Sequence, residues 1–305
     1  MLKYTIRRVL WLIPVLLAVA FITFSLMHLV PGGPWDREKE LAPQVVENLN
    51  HKYGLDKSFV AQFGDFLWNA MRGDLGISYS YQDRGVTEIL MEGFPKTATL
   101  GIIAFILAIL IGIPLGMVAA LKQNSVVDYA SVLFSTIFAS IPAFVLGILL
   151  MIVFSVELHW LPTGGWGGIK HIIMPAFALA ALPAAYIARI TRASMLDVMH
   201  QDYIRTARAK GLSERVILFR HALRNALIPV MTVAGPELAF LISGSFIIEN
   251  LFSIPGIGRL FVQGVFARDY GLVMGAILFY ALAVALVNLI VDILYAVVDP
   301  RIHYE

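Results

Sequence analysis

The sequence has no cysteine among its 305 residues, and only 14% of its residues are charged. Without cysteine there can be no disulfide bond, no thiolate metal site and no cysteine nucleophile. The pattern G-x-x-x-x-G-K-[ST] is also absent, so this chain cannot bind ATP in the P-loop manner. H-E-x-x-H and G-x-S-x-G are missing as well. We predict no catalytic residue, no metal site and no cofactor within this chain.

Apolar residues dominate instead, at 59% of the chain, and the mean hydropathy is +0.78. This composition is typical of an integral membrane protein. A membrane-spanning helix needs roughly 20 apolar residues, and six stretches are long enough. They cover residues 9–30, 98–121, 132–156, 172–190, 228–248 and 272–298. We therefore predict an all-α polytopic membrane protein with six transmembrane helices.

The basic residues are distributed unequally between the two sides of such a bundle. Six spans place both termini on one side, and the basic residues fall mostly there: Lys3, Arg7, Arg8, Lys122, Arg192, Arg205, Arg208, Lys210, Arg215, Arg220, Arg224 and Arg301. The short loops of the other side carry only Lys170, Arg259 and Arg268. By the positive-inside rule, both termini are expected to be cytoplasmic. The net charge of +2 gives no indication of a nucleic-acid partner.

Residues 31–97 form the long loop after the first span, and they are predicted to be a small helical segment on the external side. Pro43 and Gly54 bracket one helix, and Ser58 can cap a second helix. In the second helix, aromatic residues recur at helical spacing, which is more typical of a core than of a ligand site. A third short helix is expected over residues 86–93, leading to the second span.

Five prolines lie within or at the ends of the predicted spans: Pro142, Pro175, Pro183, Pro229 and Pro236. Proline removes a backbone donor and bends a helix. Bent helices can enclose a translocation path, but they also occur in plain bundles. Both interpretations stay open.

The region 202–232 is a charged segment between long apolar ones. It is predicted to contain a helix over residues 198–210, an elbow at Gly211 and a second helix capped by Ser213. Arg220 and Arg224 share one face of the second helix. An apolar stripe on that helix is predicted from Val216, Ile217, Leu223 and Leu227. By pattern alone, this is a basic cytoplasmic loop.

Polar residues at membrane depth are costly, and they indicate a pathway or an interface. The candidates are Glu237, Ser243, Ser245, Asn288 and Asp292. They could contact a transported solute, hold a partner subunit, or fix helix packing through hydrogen bonds.

Several segments have amino-acid sequences that indicate a family as well as a class of protein. YIRTARAKGLSERVILFRHALRNALIP at 203–229 resembles the cytoplasmic loop of permease subunits from binding-protein-dependent ABC importers, in the peptide branch. Further resemblances follow in order: MLKYTIRRVLWLIPVL at 1–16, PGGP at 31–34, YGLD at 53–56, GDLGIS at 73–78, IPGIGRLF at 254–261, RDY at 268–270 and VDILYAVVDPRI at 291–302. The chain is similar to the B-type permeases of this branch nearly end to end.

The resemblance implies a type I ABC importer permease fold, with 1–30 as cytoplasmic start and first span, 31–97 as external loop and 98–305 as permease core. The loop 192–227 is implied to hold a coupling helix that seats on an ATPase. Of the wider family's loop signature, E-A-A and, after three more residues, Gly, only Ala207 and Gly211 match; Arg205 and Thr206 replace the first two residues. The implied coupling residues are Tyr203, Arg205, Thr206, Ala207, Arg208, Ala209, Lys210, Gly211, Arg220 and Arg224.

The resemblance also implies an assembly in a prokaryotic inner membrane. Its expected partners are a second permease, two ATP-binding subunits carrying ATP and magnesium, an external solute-binding protein and a di- or oligopeptide cargo, all within membrane lipid. Two alternatives remain: a nickel importer of the same family, and an ATP-independent carrier.

Overall fold

The structure is a computed structural model, and it describes residues 2–29, 33–35, 42–81 and 84–298, with side chains for 6–29, 33–35, 42–81 and 84–291. The helices are α1 (Leu2–Leu29), α2 (Pro43–Tyr53), α3 (Phe59–Ala70), α4 (Val86–Leu121), α5 (Val126–Ser140), α6 (Ala143–Met151), α7 (Ile169–Met199), α8 (Asp202–Ala209), α9 (Glu214–Val216), α10 (Leu223–Ser243), α11 (Phe246–Leu251), α12 (Ile257–Phe266) and α13 (Tyr270–Val298). The all-α prediction is confirmed.

Five helical stretches are long and apolar enough to cross a membrane, and a bent pair can provide a sixth span. The five are Ile6–Leu29, Val86–Leu121, Ile169–Met199, Glu214–Leu251 and Tyr270–Val291. The predicted third span is not one straight helix, because Val126–Ser140 and Ala143–Glu157 meet at 99°. Pro142 lies at this bend, where its ring cannot continue the preceding helix. The helices α7 and α10 continue through the other four prolines.

The centre of the bundle is the contact between α4 and α7. Both helices present small residues at every fourth position: Ala104, Ala108, Gly112 and Gly116 on α4, and Ala176, Ala180, Ala184 and Ala188 on α7. Small residues allow two helix backbones to approach closely within a membrane. A methyl group on Gly116 would overlap the backbone oxygen of Ala188. The two helices therefore pack backbone against backbone.

A bidentate ion pair ties α5 to α7. The Arg192 Nε and Nη2 atoms donate to the two carboxylate oxygens of Asp128 at 2.6 and 2.7 Å. The Asp128 side chain is only 2% exposed, and it also accepts a hydrogen bond from the Asn124 backbone at 3.0 Å. Ser125 caps α5 in return, accepting from the Asp128 amide at 3.4 Å. The bent pair is thus anchored to the central helix at one end.

We call the end of the bundle that carries α8 the loop end, and the end that carries α2, α3 and α12 the opposite end. At the opposite end, the predicted signals Pro43, Gly54 and Ser58 stand at helix boundaries, with Gly54 left-handed at φ 67°. Phe59 and Phe63 of α3 pack on aromatic rings of α1, with ring centroids 4.8–6.4 Å apart. The predicted core role is met only as a contact with α1, because α3 contains no buried residue and Phe59 is 38% exposed.

The predicted separate helix at 86–93 is wrong, because those residues begin the 36-residue helix α4. Their buried side chains Val86, Ile89 and Leu90 pack with Ile257 of α12 and Leu272 of α13. Gly93 is also packed, against Leu260 and the start of α12. The helix therefore continues through Gly93 without a break.

Candidate coupling loop and intramembrane polar groups

The segment between α7 and α10 is folded at the loop end. The predicted continuous helix over 198–210 is wrong: α7 ends at Met199, and α8 begins at Asp202 after an extended Gln201. The break turns α8 away from α7, so that α8 is a separate eight-residue helix. No glycine or proline marks this break in the sequence.

The helix α8 is fixed to the bundle through two side chains. Ile204 is fully buried and Ala207 is 7% exposed. They join an apolar cluster with Ala120 at the end of α4, Met195 of α7, and Ile217, Ala222 and Ala226 further along the chain. Because α4, α7 and α10 all contribute, the loop is expected to move together with the ends of these helices.

Gly211 forms the elbow after α8. Its φ is 74°, the left-handed conformation that the sequence predicted, and its amide donates to Arg208 O at 2.9 Å. A Cβ placed on Gly211 would meet nothing within 4 Å. Glycine is therefore favoured here by backbone conformation and not by lack of space.

An ion pair closes the elbow from outside. Arg208 Nε donates to Glu214 Oε1 at 2.8 Å, which joins the end of α8 to the start of α9. This hydrogen bond raises the pKa of the Arg208 guanidinium. Ser213 occupies the predicted N-cap position, but its side chain makes no capping hydrogen bond. The Arg208–Glu214 pair therefore restrains the elbow where the serine does not.

The outward face of the loop is basic and partly apolar. Lys210, Arg220 and Arg224 make no ion pair with any residue that the structure describes. Phe219 is 52% exposed beside Arg220, and Val216 is exposed too. Of the predicted apolar stripe, Ile217 is fully buried, whereas Val216 is 38% exposed, so the prediction is wrong for Val216. Such a mixed surface fits a protein interface better than a purely solvated loop.

A π-helical turn over Ile217–Ala222 separates α9 from α10. π-Turns carry one extra residue per turn and are frequent at functional sites. Here the turn buries Ile217 and Ala222 and leaves Phe219 and Arg220 exposed. Sequence patterns do not reveal such a turn, so the prediction missed it.

The remaining predicted loop residues lie on or near α8. Tyr203 is 41% exposed, and its hydroxyl accepts from Asn225 Nδ2 at 2.9 Å. Arg205 reaches Asp202 at 3.4 Å on the surface. Thr206 donates to the Asp202 carbonyl at 3.0 Å, and Ala209 is exposed.

Two of the predicted membrane-depth candidates have local partners. Ser243 is buried, and its hydroxyl donates to Ala239 O at 2.6 Å in its own helix. Ser245 caps α11, where it accepts from the Ile248 amide at 3.3 Å. Between them, Gly244 ends α10 at φ 103°. The helix thus breaks at Gly244, and the Ser245 hydroxyl caps the helix that follows.

The other candidates do not form one cluster. Glu237 is half-buried in α10, and Asn288 is half-buried in a groove between α1 and α13 that Glu237 does not line. The Asp292 side chain lies outside the described side chains. Among the described residues, no group of three acidic or histidine side chains could hold a metal ion.

Two buried carboxylates at the opposite end escaped the sequence analysis. Asp269 is fully buried and accepts from the Ser78 hydroxyl at 2.5 Å, the Tyr79 and Ser80 amides at 2.9 and 3.0 Å, and the Leu272 amide at 3.0 Å. Asp269 thus joins the RDY segment at 268–270 to the GDLGIS segment at 73–78. The only sequence signal for this contact was that both segments resemble the same family.

Glu249 is the second buried carboxylate, and it is fully buried in α11. Its Oε2 atom accepts from the Gly258 amide at 2.9 Å, in the first turn of α12. The neighbouring Ile257 amide donates to Thr97 Oγ1 of α4 at 2.9 Å. Together these contacts fix the start of α12 against α11 and α4.

Family models of known proteins match the chain in two parts. Residues 112–304 match the family described as binding-protein-dependent transport system inner membrane component. Residues 1–101 match the family of its N-terminal region. The oligopeptide transport system permease protein OppB of Salmonella typhimurium strain LT2 is 45% identical over 306 residues, covering 100% of both chains. The glutathione transport system permease protein GsiC of Escherichia coli O6:H1 is 43% identical over 307 residues, again with 100% coverage of both chains.

A solved structure shares the fold. The MetNI methionine ABC transporter, in inward-facing conformations, contains a chain that aligns with a TM-score of 0.58 at 20% identity. The alignment covers 69% of this chain and 96% of that chain. At this identity the likeness concerns the fold, and it confirms the predicted type I importer permease architecture.

Proposed function

Because the chain belongs to the family of binding-protein-dependent transport system inner membrane components, we propose that it is the permease subunit of an ATP-driven importer of di- and oligopeptides. It is a multi-pass inner-membrane protein. The observation that carries the proposal is the end-to-end identity of 45% to an oligopeptide permease. A glutathione permease is nearly as similar, and glutathione is itself a short peptide.

The loop over α8 and α9 would be the contact to the ATPase. Its helix is anchored to α4, α7 and α10 by Ile204 and Ala207, and its outward face carries Lys210 and exposed arginines. A displacement of this face would be transmitted to the transmembrane helices α4, α7 and α10, since the loop shares one apolar cluster with them. This arrangement suits a coupling helix that receives the movement of two cytoplasmic ATP-binding subunits, which would hold ATP and magnesium.

The bundle would pair with a second permease to enclose the peptide path. Of the predicted path residues, Glu237 is the best supported, because it is half-buried within α10 and has no hydrogen-bond partner among the described residues. Ser243 and Ser245 would act by shaping the break at Gly244. The opposite end, with α2, α3 and α12, would face outward and receive the solute-binding protein. Both termini would then be cytoplasmic.

The first experiment is copurification of the tagged full chain from its own membrane in mild detergent, followed by uptake assays in proteoliposomes. We expect a second permease and ATP-binding subunits to copurify, and labelled peptide uptake to require ATP. Uptake of nickel but not peptide would favour the nickel alternative. Peptide or solute uptake by the chain alone without ATP would contradict the proposal and favour a carrier.

A second experiment tests the loop. The double change Arg220→Glu and Arg224→Glu should weaken association with the ATP-binding subunits, and the loss should be larger at low ionic strength, where charge steering is strongest. Lys122→Glu is the matched control, since Lys122 is an exposed basic residue at the end of α4 outside the loop. Unchanged binding by the double variant would show that these arginines only orient the protein in the membrane.

A further inference from the structure

The helix α3 packs beside α1 through one face only. Its Phe59 and Phe63 rings contact Phe21 and Phe24 of α1, with ring centroids 4.8–6.4 Å apart. None of the residues of α3 is buried. The faces of α3 that lie beside this contact therefore meet something other than the bundle.

The two flanks of α3, on either side of the packed face, differ in polarity. One, which we call the polar flank, carries Gln62, Asp65 and Asn69. The other, which we call the apolar flank, lies within an arc of about 80° at 3.6 residues per turn and carries Val60, Gly64, Trp68 and, directly after the helix, Met71. Val60, Trp68 and Met71 are 78%, 56% and 72% exposed. Such a contiguous apolar surface is rarely left to water.

The contacts with α1 show which flank points towards the middle of that helix. Gln62 of the polar flank has its Oε1 atom 3.2 Å from His28 Nε2, in the last turn of α1. Phe63, which lies next to the apolar flank, contacts Phe21 with ring centroids 5.5 Å apart. Phe21 precedes His28 by seven positions, about 10 Å along α1 at 1.5 Å per residue. The polar flank therefore faces the end of α1, and the apolar flank faces its middle.

The depth of Phe21 identifies what surrounds the apolar flank. The spanning stretch Ile6–Leu29 has 24 residues, slightly more than the roughly 20 that cross the hydrocarbon core. Phe21 lies eight positions before the end of this stretch, about 12 Å along the helix, and so at hydrocarbon depth. Its ring contacts Phe63 and is still 51% exposed. The apolar flank thus continues the exposed apolar surface of α1 at a depth where the surroundings are lipid.

We propose that α3 is embedded in the membrane surface at the opposite end, with its apolar flank among lipid acyl chains and its polar flank towards water. Interfacial amphipathic helices insert their apolar face about 5–10 Å into the boundary between headgroups and acyl chains. The Arg72 guanidinium lies 4.4 Å from the centre of the Trp68 ring. This pair suits the boundary, because tryptophan is enriched there and arginine can extend its charge to the headgroups. The inference depends on α1 spanning the membrane and not on the cargo.

The absence of cysteine allows a test with single nitroxide spin labels. The labels are attached after Val60→Cys or Met71→Cys on the apolar flank, and after Asp65→Cys or Asn69→Cys on the polar flank as matched controls. All four positions are exposed, so these variants are expected to fold. The full chain is studied in lipid nanodiscs, alone and together with the subunits that copurify with it. Collisions of each label with oxygen, which enters lipid, are compared with collisions with a water-soluble nickel chelate.

We expect the labels on the apolar flank about 5–10 Å below the lipid phosphates, and the labels on the polar flank level with the phosphates or above them. Preferential contact with the nickel chelate at Val60 and Met71 would mean that water covers this flank, and it would overturn the proposal. Loss of contact with both reagents when the copurifying subunits are present would mean that a protein partner covers the flank, which would overturn the proposal too.

Trp68 gives a second measurement that needs no label. Its quenching by phosphatidylcholine brominated in the acyl chains is obtained by subtracting the signal of Trp68→Phe from that of the unaltered chain. We expect strong quenching of Trp68 by this lipid and weak quenching by acrylamide dissolved in the water. The reverse order of the two quenchers would place Trp68 in water and would contradict the proposal.

Discussion

Replacing Arg192 by alanine should destabilise the protein more than replacing its partner Asp128. The Asp128 side chain is only 2% exposed in the intact pair; in Arg192→Ala it loses both guanidinium donors and, among the described residues, keeps the Asn124 amide at 3.0 Å as its donor. An uncompensated buried charge costs about 3–5 kcal/mol. In Asp128→Ala, Arg192 is left alone, but its side chain is 28% exposed and can reach water. The cost should then be about 1–3 kcal/mol.

The two changes should also be coupled. Because each single change leaves one partner unpaired, the double variant should cost less than the sum of the single variants by about 2 kcal/mol. The free energy of unfolding is measured by titrating the purified chain in mixed micelles with sodium dodecyl sulfate, with tryptophan fluorescence as the signal. Arg189→Ala is the matched control on the same helix, since Arg189 is exposed and its nearest ring contact, Tyr186, lies 5.9 Å away.

Additive effects of the two single changes would refute the reasoning. The same holds if Asp128→Ala proves the more costly change, because exposure would then not decide the cost. A loss in Arg189→Ala as large as in Arg192→Ala would mean that any arginine of α7 is required, whatever its partner.

Three further predictions concern glycines and a buried carboxylate. Gly211→Val should reduce ATP-driven uptake about 5- to 30-fold, since a left-handed backbone costs about 1–2 kcal/mol for such a residue. Gly211→Asn should stay active, because asparagine tolerates this conformation. Equal activities of the two variants would contradict the requirement for a left-handed residue at the elbow. Asp269→Asn should speed amide hydrogen exchange at Tyr79 and Ser80, whose amides donate to this carboxylate, about 10-fold or more, because a hydrogen bond to a charged acceptor is worth about 1.5–3 kcal/mol; unchanged exchange at these two residues would contradict this prediction. Gly116→Ala should lower the melting temperature, because a methyl group there would overlap the α7 backbone. Gly64→Ala should raise the melting temperature by up to a few degrees, about 1 kcal/mol, because nothing lies within 4 Å of a Cβ at that position of α3. Shifts of the same sign in both variants would contradict the close packing of α4 on α7.

Local chemistry made part of the structure predictable. The boundaries at Pro43, Gly54, Ser58 and Gly211 depend on the conformations that these residues favour by themselves, so they could be predicted from the sequence. The spans could be predicted as well, since bilayer thickness sets a minimum apolar length. The family wording predicted the loop as a coupling element, which stays a prediction.

Tertiary contacts explain what was missed. The α7–α8 break at Gln201 and the exposure of Val216 beside the buried Ile217 depend on the apolar cluster at the loop end, which no local pattern encodes. Asp128 and Arg192 are 64 residues apart, and neither has a sequence signal that names the other. A bend at Pro142 could be predicted from the proline itself. Its angle of 99° could not, because the two halves of the bent pair pack against α7 and α11.

The four hydrogen bonds of Asp269 have a consequence for biogenesis. Ser78 leaves the ribosome 191 residues before Asp269, which is roughly 10–40 s at bacterial rates of chain elongation. During this interval the Tyr79 and Ser80 amides lack their Asp269 acceptor, although the helices on both sides are already being inserted. The opposite end is therefore completed only when the last spanning helix arrives, and a chain stalled before that helix would expose this segment to proteases.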